Sequence, residues 1–313
     1  MKKLRPFLLI ILSVMLSFCA CNEKTSTGAP VSSTTVTDAT VNSEEAVSEE
    51  TTGEEANSSA GTTYDITDNY IIDYEFDTKT STNYSVIRVF KQKTDGSYQY
   101  PFVYAPNGGD AATLSPIDMM ADKDFVLVVN AGIFDTTTLM PDGILIQNSE
   151  VICNSETKTH PSCFALTIDA DGNLSYAQPD ADADALAENG VVSAVSGFMP
   201  IIVDYKAFSS TKWNKVSHYT RKAQRQIIGQ FGNGDYAIIT CEGQGFQNSQ
   251  GWTIAQAQSI CQKLGLKFAY NLDGGGSTAT LLNKKQFNSV YEGNTGRIVP
   301  TYIVFNGTTS FTE

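Results

Sequence analysis

The forty residues from Asn22 to Gly61 contain no aromatic side chain and consist largely of Ser, Thr, Glu, Ala and Val. Such a stretch cannot bury enough apolar surface to offset the entropy lost on ordering it. It reads as a disordered acidic tether, residues 22–61, and confines folding to the residues C-terminal to it. Residues 62–313 are long enough for one large domain with a substantial core, and no second linker interrupts them. The tether holds eight acidic residues and one lysine, so it supplies about seven of the thirteen net negative charges of this 313-residue chain. A chain this acidic lacks the broadly basic face that phosphate backbones require, which sets nucleic acid aside as a partner.

Ahead of the tether, Lys2, Lys3 and Arg5 precede the apolar run Phe7 to Phe18, the layout of a secretory signal. The run is shorter than the roughly 20 apolar residues that span a bilayer. Phe18-Cys19-Ala20-Cys21 resembles a bacterial lipobox. Cys21 fits the modified position, because Phe18 is too bulky to precede the modified cysteine. The expectation is a lipoprotein signal over residues 1–21, lipidation at Cys21, and a secreted protein anchored to the outer face of the bacterial cell membrane. The alternative is an ordinary cleaved signal without lipid. Four cysteines remain in the domain, Cys153, Cys163, Cys241 and Cys261. Cys153 and Cys163 could staple a hairpin, and Cys241 and Cys261 suit buried thiols equally well.

Alternation of β-branched or aromatic residues with polar ones predicts strands at Tyr70–Phe76 and Asn83–Gln92, and Tyr98–Tyr104 follows the Asp95-Gly96 turn. Phe125–Val129 reads as a buried strand. Further strands are expected at Gly143–Gln147, Phe164–Asp169, Ile201–Asp204, Arg225–Phe231, Tyr236–Cys241, Lys267–Leu272 and Val299–Phe305. The turn Gly232-Asn233-Gly234-Asp235 joins two of them in a hairpin. Ser115-Pro116 opens a short helix. The one strong helix is Thr253–Leu264, with a Thr253/Gln256 capping box, an apolar face and a closing Gly265. Many strands and few helices make the fold class α+β, a large mixed β-sheet with a few packed helices in a single domain.

Gly274-Gly275-Gly276 follows a strand, and residues without Cβ let backbone N–H groups approach an anion closely. The spacing matches neither a dinucleotide nor a nucleoside-triphosphate loop, and strand rather than helix comes next. A tight bend at a crowded strand end is the plain structural alternative. The basic cluster Lys212, Lys215, His218, Arg221, Lys222 and Arg225 either frames an anionic substrate or forms a solvated face. Arg225 opens an apolar strand, so its guanidinium needs an anion or a set of carbonyls. Asp135, Asp142, Glu242 and Asp273 stand at strand ends or beside glycines, placed for general acid or base work. The acids around Asp169–Gly172 and Asp180–Asp184 depart from calcium loops and suit a hairpin turn and a helix start. Two histidines, His160 and His218, in neither a zinc motif nor a serine elbow, disfavour zinc hydrolysis and a Ser-His triad. Trp213 and Trp252 either stack on a sugar or pack in the core.

Taken in order, Val128-Val129-Asn130-Ala131-Gly132-Ile133-Phe134-Asp135, Pro141-Asp142-Gly143, Arg225 with Ile228-Gly229, Glu242-Gly243 and Asn271-Leu272-Asp273-Gly274-Gly275-Gly276-Ser277-Thr278 resemble the phosphodiester glycosidase family. That family includes N-acetylglucosamine-1-phosphodiester glycosidases and bacterial proteins linked to exopolysaccharides. The resemblance runs from about Asp124 to Phe305. It implies that Asn130, Gly132 and Asp135 wall a cleft, that Arg225 clamps phosphate, and that Gly274, Gly275, Gly276 and Ser277 bind substrate. Asp273 and Glu242 would be the catalytic carboxylates. Gln226 and Glu242 depart from the threonine and aspartate usual in the family. The implied reaction cleaves a sugar-1-phosphodiester of a phosphorylated glycan at the anomeric carbon. Apart from the resemblance, the same acids could hold a divalent cation, calcium or magnesium. The alternatives are a non-catalytic surface glycan-binding lipoprotein and a phosphodiesterase that cleaves the P–O bond.

Overall fold

The computed structural model describes residues 62–64, 69–158, 163–209, 217–290 and 295–306, all within the compact unit Ser58–Glu313. Cys21, the tether, His160, Lys212, Trp213 and Lys215 lie outside the described residues.

Short turns join most of the strands, and this favours antiparallel pairing, since parallel neighbours need long crossovers. The chain begins with β1 (Thr62–Tyr64), β2 (Tyr70–Asp77), β3 (Thr82–Val89) and β4 (Phe102–Tyr104), then helix α1 (Pro116–Ala121) and β5 (Phe125–Asn130). Next come β6 (Leu145–Gln147), β7 (Glu150–Cys153), β8 (Ala165–Asp169), β9 (Leu174–Ala177), α2 (Ala183–Glu188), β10 (Val191–Ser196), β11 (Met199–Val203) and β12 (Lys206–Ala207). Helix α3 (Ser217–Thr220), β13 (Arg225–Gln230), β14 (Tyr236–Cys241), α4 (Ile254–Lys263), β15 (Phe268–Asn271), β16 (Thr280–Leu282), β17 (Lys285–Gln286) and β18 (Tyr302–Asn306) complete the order.

These strands make an eight-stranded sheet, β1-β2-β3-β14-β13-β15-β11-β12, and two five-stranded sheets, β7-β6-β10-β8-β9 and β17-β16-β5-β18-β4. The α+β class stands. The single large mixed sheet does not: there are three sheets, and every pairing among the described strands is antiparallel. The physical reason is local connectivity, since the hairpin at 232–235 and its like place sequence neighbours side by side.

Sequence signals account for the elements closely. Ser115 caps α1, accepting from the Asp118 amide at 3.2 Å. Asp182 caps α2, the helix start expected of the 180–184 acids, and Asp169 closes the β8–β9 turn. Helix α4 carries the Thr253/Gln256 capping box, buries Ile254, Ala257 and Cys261, and packs on β11 and β12. Trp252 is fully buried and donates its indole N–H to Thr80 Oγ1 at 3.0 Å, so it is a core residue. All four domain cysteines are free thiols.

The register of the central strands positions the site. Arg225 opens β13 opposite Cys241, the last residue of β14, and Ile227 pairs with Asn271, the last residue of β15. Arg225, Glu242 and Asp273 therefore share one end of the eight-stranded sheet. Asn130 ends β5 of a neighbouring sheet, opposite Tyr302.

Candidate active site

Strand alternation divides the residues gathered at this sheet end. Side chains of paired residues share a face and their neighbours in sequence take the other. Arg225 opens into a cleft of about 330 Å³ with Asp273, the glycine loop, Arg221 and Arg297. Ile133, Phe134 and Phe198 give the same cleft an apolar side. Gln224 and Glu242, one step along each strand, project to the opposite face.

Asp273 is held from three sides. Its amide donates to Ala131 O at 2.9 Å, its carbonyl accepts from Asn130 Nδ2 at 2.7 Å, and its Oδ1 accepts from the Gly274 amide at 2.8 Å. Burial pushes its carboxyl up to about 6, against the pull of hydrogen bonds from Ser277 and Gly274 and of the Arg297 and Arg225 charges. The result is a carboxylate that is ionised at neutral pH yet more basic than an ordinary aspartate.

The glycine loop does not present three successive free amides. Gly274 N is used by Asp273, Gly275 N donates to Gln224 O at 2.9 Å, and Ser277 and Thr278 close a tight turn onto Gly274 O and Gly275 O. Among the described residues this leaves the Gly276 amide as the loop donor without a partner. The glycines answer crowding instead. Gly275 takes φ 59°, a Cβ on Gly274 would lie 2.8 Å from Gln224 O, and one on Gly276 would meet Arg297 Nη2 at 2.7 Å. The loop thus serves as a floor on which the Arg297 guanidinium lies.

Arg225 is held by carbonyls. It is buried, Nε donates to Trp252 O at 2.8 Å, and Nη2 donates to His218 O at 2.9 Å and Arg221 O at 2.6 Å. Burial lowers its pKa. Among the described residues Nη1 has no partner. As the phosphate clamp it is limited rather than excluded: most of its donors fix α3 and the segment leading to β13, and one nitrogen, Nη1, remains for a ligand.

Glu242 is corrected. It lies outside the cleft, with Oε1 accepting from the Ser289 amide at 2.9 Å and Gln247 at 3.3 Å, and Oε2 from Gln224 at 3.3 Å. Burial raises its pKa. It cannot act with Asp273 on one substrate atom, because the two occupy opposite faces of the sheet. Asn130 is a brace rather than a wall: besides Asp273 O it holds the Ala279 amide, which donates to Oδ1 at 3.0 Å. Gly132 is a packing glycine, its absent Cβ 2.5 Å from Val195 Cγ2, and its amide donates to Thr301 Oγ1. Asp135 closes a turn, accepting from Thr137 N at 2.8 Å and Thr138 N at 3.2 Å. Asp142 is buried and accepts from the Lys158 amide at 2.9 Å. Ser277 is buried beside Asp273 and bonds to it.

Arg297, Gln244 and Phe198 line the cleft although no sequence pattern marks them, and Phe134 lines it from within the Val128–Asp135 motif. Arg297 is the most consequential, and its only signal is a lone positive charge shortly before the last strand. Calcium or magnesium takes several oxygen ligands. Asp273 is the one acidic residue among those lining the cleft, its charge is answered by two arginines, and no group of three or more His, Cys, Asp or Glu among the described residues could hold an ion. This donor set does not fit either cation.

A sequence model described as phosphodiester glycosidase matches residues 123–306. A curated relative, the SPbeta prophage-derived uncharacterized protein YomE of Bacillus subtilis (strain 168), is 27% identical over 165 residues, 52% of this chain and 25% of its own length. The matched region thus spans about a quarter of that relative. Among solved structures, the zebrafish N-acetylglucosamine-1-phosphodiester alpha-N-acetylglucosaminidase catalytic domain, auto-inhibited by its pro-peptide, superposes with a TM-score of 0.60 at 18% identity, covering 81% of this chain and 86% of that one. A hypothetical protein from Synechocystis gives 0.58 at 14% identity, covering 80% and 64%. These structural likenesses establish a shared fold.

Proposed function

Because this chain belongs to the phosphodiester glycosidase family, we propose that it hydrolyses sugar-1-phosphodiesters at the anomeric carbon, releasing free sugar and a phosphomonoester. The observation that carries the reading is Asp273, a carboxylate raised to about 6 in a cleft that also holds Arg221, Arg225 and Arg297. In this reaction the C1–O bond breaks and the electron pair leaves with the phosphate oxygen. That phosphomonoester is already a good leaving group, so the site needs anion stabilisation more than a strong acid. Arg221, Arg297, the Gly276 amide and Arg225 Nη1 supply it. Asp273 takes the proton of the attacking water as its oxygen bonds to C1, and its raised pKa makes it a better base than an ordinary aspartate. The apolar side formed by Ile133, Phe134 and Phe198 suits the faces of a sugar ring.

An N-acetylglucosamine-1-phosphate diester in a cell-surface or environmental glycan is the substrate we favour, with anchoring through a lipid on Cys21 and the tether 22–61 as a spacer. Among the described residues no helix is long and apolar enough to cross a membrane. Cys21→Ala should move the protein from the membrane fraction to the medium, and unchanged fractionation would refute the anchor. Incubation with an N-acetylglucosamine-1-phosphodiester tests the activity. Free sugar with phosphomonoester, with oxygen from isotopically labelled water carried on the sugar and not on the phosphate, supports the glycosidase. Sugar phosphate means P–O cleavage, and binding without products means a glycan-binding protein.

A further inference from the structure

We propose that a second cleft, on the face of the eight-stranded sheet opposite Asp273, binds an uncharged saccharide. This site is separate from the reaction proposed above and does not depend on it. The cleft measures about 320 Å³, within the range of small-molecule sites. Its wall is made by sheet register. Tyr74 pairs with Ser85 and Ser85 with Thr240, and in the next row Phe76 pairs with Asn83. Glu242 joins that second row, its amide bonded to Asn83 O at 2.9 Å. Rows in register place these side chains on one face of a rigid scaffold.

Aromatic surface is left uncovered there. Phe76 is 55% exposed and Tyr74 is 38% exposed, on strand positions whose equivalents earlier in β2, Tyr70 and Ile72, are buried. Phe287 extends the platform, its ring 5.2 Å from that of Tyr74 and tilted by only 23°. Beside these rings stand hydrogen-bonding groups with capacity to spare. The Ser85 hydroxyl and Asn83 Oδ1 have no partner among the described residues, while Asn83 Nδ2 is tied to Gln247 O and Ser249 Oγ and so fixes the orientation of the amide. Flat apolar rings next to oriented amide and hydroxyl groups match the alternating C–H and O–H faces of a sugar.

Charge selects the ligand class. On this face the lining carries the Glu242 carboxylate and no lysine or arginine, the reverse of the Asp273 cleft, while the Glu75 carboxylate alternates to the other face, where it accepts from Tyr84 OH at 2.6 Å and pairs with Lys263 at 3.7 Å. A phosphate or uronate is repelled, whereas a neutral sugar finds acceptors. Glu242 itself is occupied by Ser289, Gln247 and Gln224, so it sets the charge of the cleft floor rather than supplying a free contact.

Calorimetric titration of the full chain with neutral tetrasaccharides built from N-acetylglucosamine, from α-linked glucose and from β-linked glucose tests the site. At least one should saturate at millimolar concentration or below. Phe76→Ala should weaken it by about tenfold or more, as expected for a lost aromatic contact, and Asp273→Asn should not. Phe76 is largely exposed, so the variant should keep its fold, which thermal melting checks. The proposal is overturned if no neutral oligosaccharide saturates. It is also overturned if binding survives Phe76→Ala, or is lost in Asp273→Asn, or if only an apolar peptide or a sugar phosphate binds.

Discussion

The side-chain amide of Asn130 donates to the main-chain carbonyl of Asp273 at 2.7 Å, joining the end of β5 to the loop that holds the reactive carboxylate. The same side chain accepts from the Ala279 amide at 3.0 Å, so one buried residue closes both ends of the loop. Removing it leaves a buried carbonyl and a buried N–H unpaired, at about 1 to 3 kcal/mol each. Asn130→Ala should therefore lower stability by about 2 to 6 kcal/mol in denaturant titration. Asn130→Asp keeps the acceptor but loses the donor, and should damage turnover more than substrate affinity, because it frees Asp273 to move.

Titration of Asp273 gives a second prediction. Its folded pKa, about 6, lies above the ordinary aspartate value, so between pH ~4 and pH ~6 the folded state binds more protons than the unfolded one. Stability contributed through this group is greatest at low pH and falls as pH rises through that window. Asp273→Asn should accordingly be more stable than wild type at pH 7, by as much as about 3 kcal/mol, with the difference vanishing near pH ~4. Activity runs the opposite way if Asp273 works as a base: kcat/KM should rise through pH ~6 and level off. A profile that falls above pH ~6 would assign it the acid's role instead.

Glu242 and Asp273 separate in a third experiment. With a small sugar-1-phosphodiester, Asp273→Asn should lose about a hundredfold or more in kcat. Glu242→Gln, on the other face of the sheet, should stay within about threefold, since its oxygens serve Ser289, Gln247 and Gln224 rather than the cleft. Equal losses in both would return Glu242 to the reaction.

Much of this is legible in the sequence, wherever a signal is local. The capping box of α4, the Ser115 cap, the 232–235 hairpin and β14 at Tyr236–Cys241 all follow from a few adjacent residues. Asp273 and its glycines stand out for the same reason. Pairing register is not local, and it decides which face a strand-end acid occupies: Glu242 draws attention by its position near a strand end, but Arg225 opposite Cys241 puts it across the sheet. Sequence alone makes the glycine loop a good anion cradle, because glycine permits either close ligand approach or close packing. Contacts with Gln224 and Arg297, distant in sequence, decide for packing. Arg297 itself is invisible, since nothing around a single arginine announces what it will lie on.

The last prediction separates the two arginines at the mouth of the cleft. Arg225 spends Nε and Nη2 on three carbonyls, of Trp252, His218 and Arg221, and is buried while doing so. Arg225→Ala leaves those carbonyls unpaired, and the cost should be about 3 to 5 kcal/mol. Lysine should recover little, because a single ammonium cannot match the planar fork that reaches all three. Arg221 is exposed, and its bond to Arg225 uses only its main-chain carbonyl, so truncating its side chain preserves the scaffold. Arg221→Ala should melt like wild type and raise KM for a sugar-1-phosphodiester by about tenfold, the worth of one charge-assisted contact. The loss should shrink with added salt, because the guanidinium is solvated, and should be absent for a neutral aryl glycoside. If Arg221→Ala handles both substrates like wild type while Arg225→Ala melts normally and loses only turnover on the phosphodiester, the clamp is Arg225 after all, acting through Nη1.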